Sequence, residues 1–263
     1  MSPLPLPILQ IEPTDRCNLK CAMCSPQVSG GLPHGSIPRG DLDFALYRKI
    51  LAGIAADGPD FDHLILQWLG EPTLHAQWID MLEQAVSTAG HRFGYFRIDT
   101  NALRLDEPAA SRVCALAAEH PGRAILFVFS LDAASPETYH AVKGVRAFER
   151  VTTNIEHFLR LRHERVDATA SPLNVQFQLV LQPGNAHEVG AFVEHWDGFL
   201  AELGTAGTYD EIMIKRLAVG TGGPEQEAAD RLYDETIRRL GLEPGRLRAT
   251  ELKLWLDRPW EGQ

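Results

Sequence analysis

No stretch of the sequence approaches the roughly 18 to 20 consecutive apolar residues that a membrane span requires, so no transmembrane segment is expected. No run of lysine or arginine breaks the acidic balance: 25 Lys and Arg against 35 Asp and Glu leave a formal net charge of −10. Phosphate backbones are bound by clustered cations, and nucleic acid is therefore not an expected partner. The opening residues, MSPLPLPILQIEP, have no charged leader and are interrupted by proline, unlike a secretory signal. The chain reads as cytoplasmic. Low-complexity segments and short internal repeats are also missing.

Cysteine is scarce, with four in 263 residues. A disulfide framework spreads its cysteines over a short secreted chain. Here Cys17, Cys21 and Cys24 fall within eight positions and Cys114 stands apart. The spacing C-x3-C-x2-C lets three thiolates wrap one cubane iron–sulfur cluster and ligate three of its four irons. An open position on a metal marks catalysis rather than scaffolding. The competing reading is a structural zinc site completed by a residue such as His34. Zinc sites more often pair C-x2-C units, and no second pair is present. Cys114, among alanines and leucines, reads as a small buried hydrophobe.

What is abundant is ordinary core material: 44% hydrophobic and 23% charged residues, enough for a core without metal or disulfide staples. Apolar runs alternate with amphipathic ones about six times. Strands are expected over Pro7–Pro13, His63–Trp68, Phe93–Asp99, Ala124–Leu131, Val175–Leu181 and Glu211–Leu217. Helices are expected around Phe44–Ala56, Trp78–Val86, Ala109–Ala118, Val151–Leu159, Val189–Trp196 and Gln226–Leu240, where apolar residues recur at helical spacing. Strand-then-helix units in series predict a parallel sheet with right-handed crossovers. Six units are fewer than the eight of a closed barrel, so the fold class expected is α/β, a partial (β/α)6 parallel barrel. Residues 27–40 and 220–224 read as flexible breaks, and the tail past Gly245 is left unassigned.

Within the context IEPTDRCNLKCAMC, the segment Cys17–Cys24 resembles the signature of the radical S-adenosylmethionine (SAM) superfamily, including the hydrophobic Met23 before the third cysteine. The resemblance runs to about residue 223. Gly70-Glu71-Pro72 after the second strand is similar to the family's GGEP motif, with Leu69 in place of the first glycine. Ser130-Leu131-Asp132 after the fourth strand is similar to its ribose-binding segment. SLDAASPETYHAVKG resembles the branch that carries SPASM or twitch extensions, as do Thr100-Asn101 and Asn185. Relatives in that branch carry further cysteines near the C-terminus, and this sequence has none after Cys114. For a complete chain this implies a redox-neutral outcome, or one that returns hydrogen to the product.

The resemblance implies a [4Fe-4S] cluster on the three cysteines and SAM on the open iron. It implies that Glu71 accepts from the SAM ammonium and that Ser130 and Asp132 bond the ribose. Lys143 or Arg146 would pair with the SAM carboxylate. Met23, Gly70, Pro72 and Asn101 would complete the cofactor site from the first half of the chain. Gln178, Asn185, Lys215 and Leu217 would do so from the second, with Arg216 near cofactor or substrate. The implied activity is reductive cleavage of SAM and hydrogen abstraction from a peptide or small-metabolite substrate. An electron donor such as flavodoxin or ferredoxin would supply the electron. Residues 1–223 would form the core, and 224–263 a C-terminal helix and short tail. The alternative is a non-catalytic module that binds zinc or an iron–sulfur cluster. Taken singly, Gly-Glu-Pro also reads as a turn, Ser-Leu-Asp as a cap before Pro136, His75 as a loop or capping residue, and the Trp196/Phe199 pair as core.

Overall fold

A computed structural model describes residues 6–24, 40–170, 172–204, 210–219, 223–247 and 253–257. His34, residues 27–39 and 220–222, and part of the tail lie outside the described residues. Along the chain the elements are β1 Leu9–Gln10, α1 Phe44–Asp57, β2 Phe61–Ile65, α2 Trp78–Ala89, β3 Phe93–Thr100, α3 Glu107–Glu119 and β4 Ala124–Ser130. They continue with α4 Pro136–Lys143, α5 Phe148–Arg165, β5 Leu173–Leu181, α6 Val189–Leu203, β6 Glu211–Arg216, α7 Pro224–Leu240, β7 Gly245–Arg246 and β8 Lys253–Leu256. The chain divides into two compact units. The first comprises Met1–Asn18, His34–Phe129 and Arg150–Val175, and the second Leu19–Pro33, Ser130–Glu149 and Gln176–Gln263.

In the first unit the strands run in the order β1-β2-β3-β4, all parallel. The side-chain period of two puts Leu64, Phe96, Ile98, Phe127 and Phe129 on one face, and all are buried. Helices cover that face. The Phe127 ring meets Trp78 of α2 edge-on at 6.5 Å and Phe158 of α5 at 5.3 Å. Burying each such ring contributes about 2–3 kcal/mol. The other face carries polar residues: Arg97 grips Asp99 through two hydrogen bonds of 2.6 and 2.7 Å. Helix starts follow local chemistry, with Asp43 accepting from Leu46 N (2.8 Å) ahead of α1 and Asp106 accepting from Ala109 N (3.2 Å) ahead of α3.

In the second unit β5 and β6 are parallel, with Gln178 opposite Met213 and Val180 opposite Lys215. β8 adds to β6 in parallel and β7 pairs β8 antiparallel. Phe177 of β5 stacks on Trp196 of α6 at 4.3 Å, and Trp196 meets Phe199 edge-on, so that pair is core. Tyr233 of α7 donates to Ile214 O (3.0 Å) and lies beneath the Arg216 guanidinium, 4.1 Å from ring centroid to Cζ.

The six expected strands and the expected helices are all present, with ends shifted by a few residues. Two features were not expected. Helix α4 starts at Ser135, whose hydroxyl accepts from Thr138 N, has Pro136 in its first turn, and stops at Gly144 with φ +76°. These are the ordinary marks of a short helix. The C-terminal strands β7 and β8 escape notice because two- and four-residue runs carry little periodicity. No helix among the described residues is long and apolar enough to cross a membrane.

Candidate active site

The Gly-Glu-Pro turn after β2 is held by the segment that leads into the cysteines. Glu12 accepts from both Leu69 N (2.7 Å) and Gly70 N (2.8 Å), and Arg16 O accepts from Glu71 N (2.8 Å). A Cβ on Gly70 would stand 1.9 Å from Thr14 O. Glycine is demanded there by close backbone approach rather than by an unusual dihedral. Leu69, which replaces the first glycine of the motif, joins the turn through its backbone N–H to Glu12.

Glu71 is 3% exposed, and its carboxylate is a hub for neutral donors. Oε1 accepts from the hydroxyls of Thr73 and Thr100 (both 2.6 Å) and from Thr73 N (3.2 Å); Oε2 accepts from Asn101 N (2.8 Å). Burial pushes the carboxyl above its ordinary range despite the Thr100, Thr73 and Asn101 donors. Oε1 is therefore fully engaged, while Oε2 keeps acceptor capacity. Asn101 donates through Nδ2 to Asn18 Oδ1 (2.8 Å), tying the end of β3 to the residue after Cys17. Ala102 follows in the left-handed region, φ +59°, with Asn154 bonding its carbonyl (2.9 Å). Glu12, Thr73, Asn18 and Asn154 were not expected at the site. Only the positions of Glu12, ahead of the cysteine segment, and Asn18, within it, are signals in the sequence.

In the second unit residues 19–24, which carry Cys21 and Cys24, lie along the end of α4. Lys20 N donates to Lys143 O (3.2 Å), Ala22 N to Val142 O (3.0 Å), and Cys24 N to Cys21 O (3.1 Å). Gly144 admits this approach, since a Cβ there would stand 2.9 Å from Lys20 O. Lys143, 2% exposed, is hydrogen-bonded to Asp132, 1% exposed. Asp132 takes the left-handed region, φ +60°. Its Oδ1 accepts from Val180 N (2.6 Å). Asn185 locks the same turn, donating to the carbonyls of Asp132 and Val180 (both 2.9 Å) and accepting from Gln182 N (2.8 Å). Burial pushes the Lys143 ammonium down, but the Asp132 charge and hydrogen bond, with Cys21, hold it above the usual lysine value. Burial pushes the Cys21 thiol up, Lys143 pulls it down, and Asp132 and Cys24 add to the rise.

The remaining expected site residues are less tightly held. Met23 and Ser130 are half-buried, Arg146 is exposed, and Pro72 is buried in the turn below Glu71. Gln178 O accepts from Leu131 N (3.2 Å), while its Oε1 is buried and makes no hydrogen bond among the described residues. Lys215 is half-buried, and Leu217 O accepts from Gln226 Nε2 (3.0 Å). Arg216 is committed to Asp234 (2.5 Å), Asp230 and the Tyr233 ring. His75 is a capping residue, accepting from Gln77 N through Nδ1 (3.0 Å). Cys114 is fully buried, and burial pushes its thiol up to about 11.

The three cysteines are irregular in backbone, exposed at Cys17 and half-buried at Cys21 and Cys24, and none forms a disulfide. Among the described residues no group of three or more His, Cys, Asp or Glu is gathered as a metal site. The fit to a cluster rests on donor chemistry: three sulfur ligands at cubane spacing, two of them in one turn closed by the Cys24–Cys21 backbone bond. The unpartnered buried Gln178 Oε1 fits a polar ligand in the same unit.

Three of the solved structures that share the fold illustrate the likeness. They are anSMEcpe with bound AdoMet and Cp18Cys peptide (TM-score 0.58, 16% identity, 90% of this chain and 59% of that one), the [FeFe]-hydrogenase maturase HydG (0.56, 12%, 90% and 48%), and a radical SAM methyltransferase from Sphaerobacter thermophilus (0.50, 14%, 96% and 67%). The fold is accordingly α/β, the partial barrel that the sequence led us to expect. Among curated proteins, the tungsten-containing aldehyde ferredoxin oxidoreductase cofactor-modifying protein of Pyrococcus furiosus is 32% identical over 124 residues, 47% of this chain and 30% of that protein. GTP 3',8-cyclase of Vibrio vulnificus is 25% identical over 188 residues, 72% of this chain and 49% of that protein. The chain thus spans at most about half of these two curated relatives. The profile of the Radical SAM superfamily matches residues 11–183, which include the cysteine segment, the Gly-Glu-Pro turn, Asp132 and Lys143. The chain belongs to the radical SAM superfamily, whose enzymes work with a [4Fe-4S] cluster and S-adenosylmethionine.

Proposed function

We propose that this chain cleaves SAM reductively at a [4Fe-4S] cluster held by Cys17, Cys21 and Cys24 and abstracts hydrogen from a peptide or small-molecule substrate. The observation that carries the reading is the C-x3-C-x2-C segment inside a family match that extends from residue 11 to residue 183. Bound there, the cluster and SAM supply a 5'-deoxyadenosyl radical, so the hard chemistry belongs to the cofactors and the protein positions them. The turn Gly70–Pro72 presents backbone groups and the open side of Glu71 Oε2 to the SAM ammonium. Asn101 and Thr100 keep Glu71 from turning away. Ser130 and Gln178 supply hydrogen-bonding groups for the ribose and adenine, alongside Met23, Asn185, Lys215 and Leu217. Asp132 serves the ribose through the turn that it shapes, while Lys143 or the exposed Arg146 is the cation for the SAM carboxylate.

The SPASM- or twitch-like affinity is part of the proposal and rests on the Ser130–Gly144 segment. So is the division into a core of residues 1–223 with 224–263 appended. A one-electron donor of the flavodoxin or ferredoxin class and a cytoplasmic setting complete the reading. The names of the two curated relatives, a cofactor-modifying protein and a GTP cyclase, favour a small molecule over a peptide.

The test is anaerobic reconstitution with iron and sulfide, followed by dithionite and SAM. A brown protein that releases 5'-deoxyadenosine, and loses this in Cys21→Ala, is the expected result. A colourless protein that retains zinc, or a cluster that never cleaves SAM, would overturn the reading in favour of a non-catalytic metal module.

A further inference from the structure

A buried ion pair is a poor device for stability, because desolvating two charges offsets most of their attraction. Lys143 and Asp132 are nonetheless both removed from solvent and joined to each other. Asp132 is held in the left-handed backbone region, which most non-glycine residues avoid. Val180 N fixes one carboxylate oxygen and Asn185 fixes the carbonyl. That much restraint on one lysine calls for a reason. The reason lies on the other side of Lys143, where the backbone neighbours of Cys21, Lys20 and Ala22, are hydrogen-bonded to Lys143 O and Val142 O. The stretch that carries Cys21 is therefore docked on the residue that carries the buried cation.

We propose that Lys143, oriented by Asp132, is a positioning residue that sets the reduction potential of the cluster bound through Cys21. Reduction adds one electron, taken from an external one-electron donor, to a cluster already made anionic by its thiolates. A fixed cation nearby stabilises the reduced form more than the oxidised form, and net charge is one of the levers that set iron–sulfur potentials. Lys143 and Asp132 are themselves out of solvent, so water and salt screen their field less than that of a surface charge. Asp132 opposes the cation in part, so the pair acts as a trim rather than a bare charge. The inference rests on the reading that Cys17, Cys21 and Cys24 hold a [4Fe-4S] cluster.

The experiment is an EPR-monitored redox titration of the anaerobically reconstituted full chain, with iron and sulfide counted in every sample. Lys143→Met is expected to lower the midpoint potential and Asp132→Asn to raise it, while Lys143→Arg stays near the parent. Opposite shifts at full iron content would not arise from a purely structural role, which would change iron retention in the same direction for both. Midpoints that coincide in all variants at full iron overturn the proposal and leave the cluster assignment intact. A parent protein that binds no cluster overturns both. If Lys143→Met does not fold, Asp132→Asn alone decides: a raised midpoint supports the proposal and an unchanged one ends it.

Discussion

Glu71 in the first unit and the Lys143–Asp132 pair in the second are two answers to the same problem, a charge without water. Glu71 is surrounded by neutral donors on Thr73, Thr100 and Asn101. Lys143 is balanced by one opposite charge. Neutral donors spread the cost over several modest bonds, each worth about 1.5–3 kcal/mol when the acceptor is charged. An ion pair concentrates it in one contact whose loss strands a partner. The first arrangement fixes a turn, and the second fixes a field.

The comparison breaks most sharply at the pair. Lys143→Met should destabilise the protein by about 3–5 kcal/mol, because Asp132 is left buried and uncompensated. Lys143→Met combined with Asp132→Asn should recover part of that loss. Urea denaturation of Lys143→Met, Asp132→Asn and the double variant, compared as a double-mutant cycle, tests this; simple additivity would show that the two side chains do not act as a unit. At the hub the expected effect is smaller. Glu71→Gln keeps one acceptor oxygen but turns an amide toward a donor, costing about 1–3 kcal/mol, again read from denaturation midpoints. A loss as large as that at Lys143 would remove the contrast.

The smallest effect concerns pH, and here a third carboxylate sharpens the contrast. Glu188 accepts from Ala134 N (2.7 Å) and the Ser135 hydroxyl, donors of the same kind as those at Glu71, but it is less deeply buried. Burial pushes Glu188 up, yet the Ser135, Ala134 and Thr138 hydrogen bonds outweigh it and hold the carboxyl below its ordinary value. At Glu71 burial wins and the value rises. The signs of linkage are therefore opposite. Glu188 contributes stability that is present above the ordinary glutamate value of 4.5 and lost as pH falls through its lowered one. Glu71 contributes stability that is present below 4.5 and lost as pH rises through its raised value. Thermal midpoints across pH should lose part of their acid limb in Glu188→Gln. In Glu71→Gln they should lose part of the decline above 4.5. Identical profiles for the two variants would refute the assignment.

Much of this protein is legible along the chain. The run at Ala124–Ser130 shows its strand by nearly continuous apolar character, as parallel strands do, Phe93–Thr100 shows its own by alternating Phe96 and Ile98 with Arg97 and Asp99, and the cysteine spacing shows a cluster chemistry by itself. Helix α4 was equally legible in Ser135, Pro136 and Gly144, but its eight residues are too few for a periodic apolar stripe to stand out. Strand β8 is harder: it exists because β6 offers an edge, with Ile212 opposite Leu254, and no local signal encodes that.

By itself, the sequence determined the family, the succession of strands and helices, and the sulfur donors, because each depends on residue type at short range. Only the tertiary structure decided that Glu71 would spend one carboxylate oxygen on Thr73 and Thr100, that Asp132 would face Lys143 and Val180, and that Gly70 would press against Thr14. Those partners lie 29, 48 and 56 positions apart at their widest in the sequence, and chain folding alone brings them within hydrogen-bonding or van der Waals reach. Where water is excluded, such contacts set the sign of a charge's contribution, and residue type does not reveal them in advance.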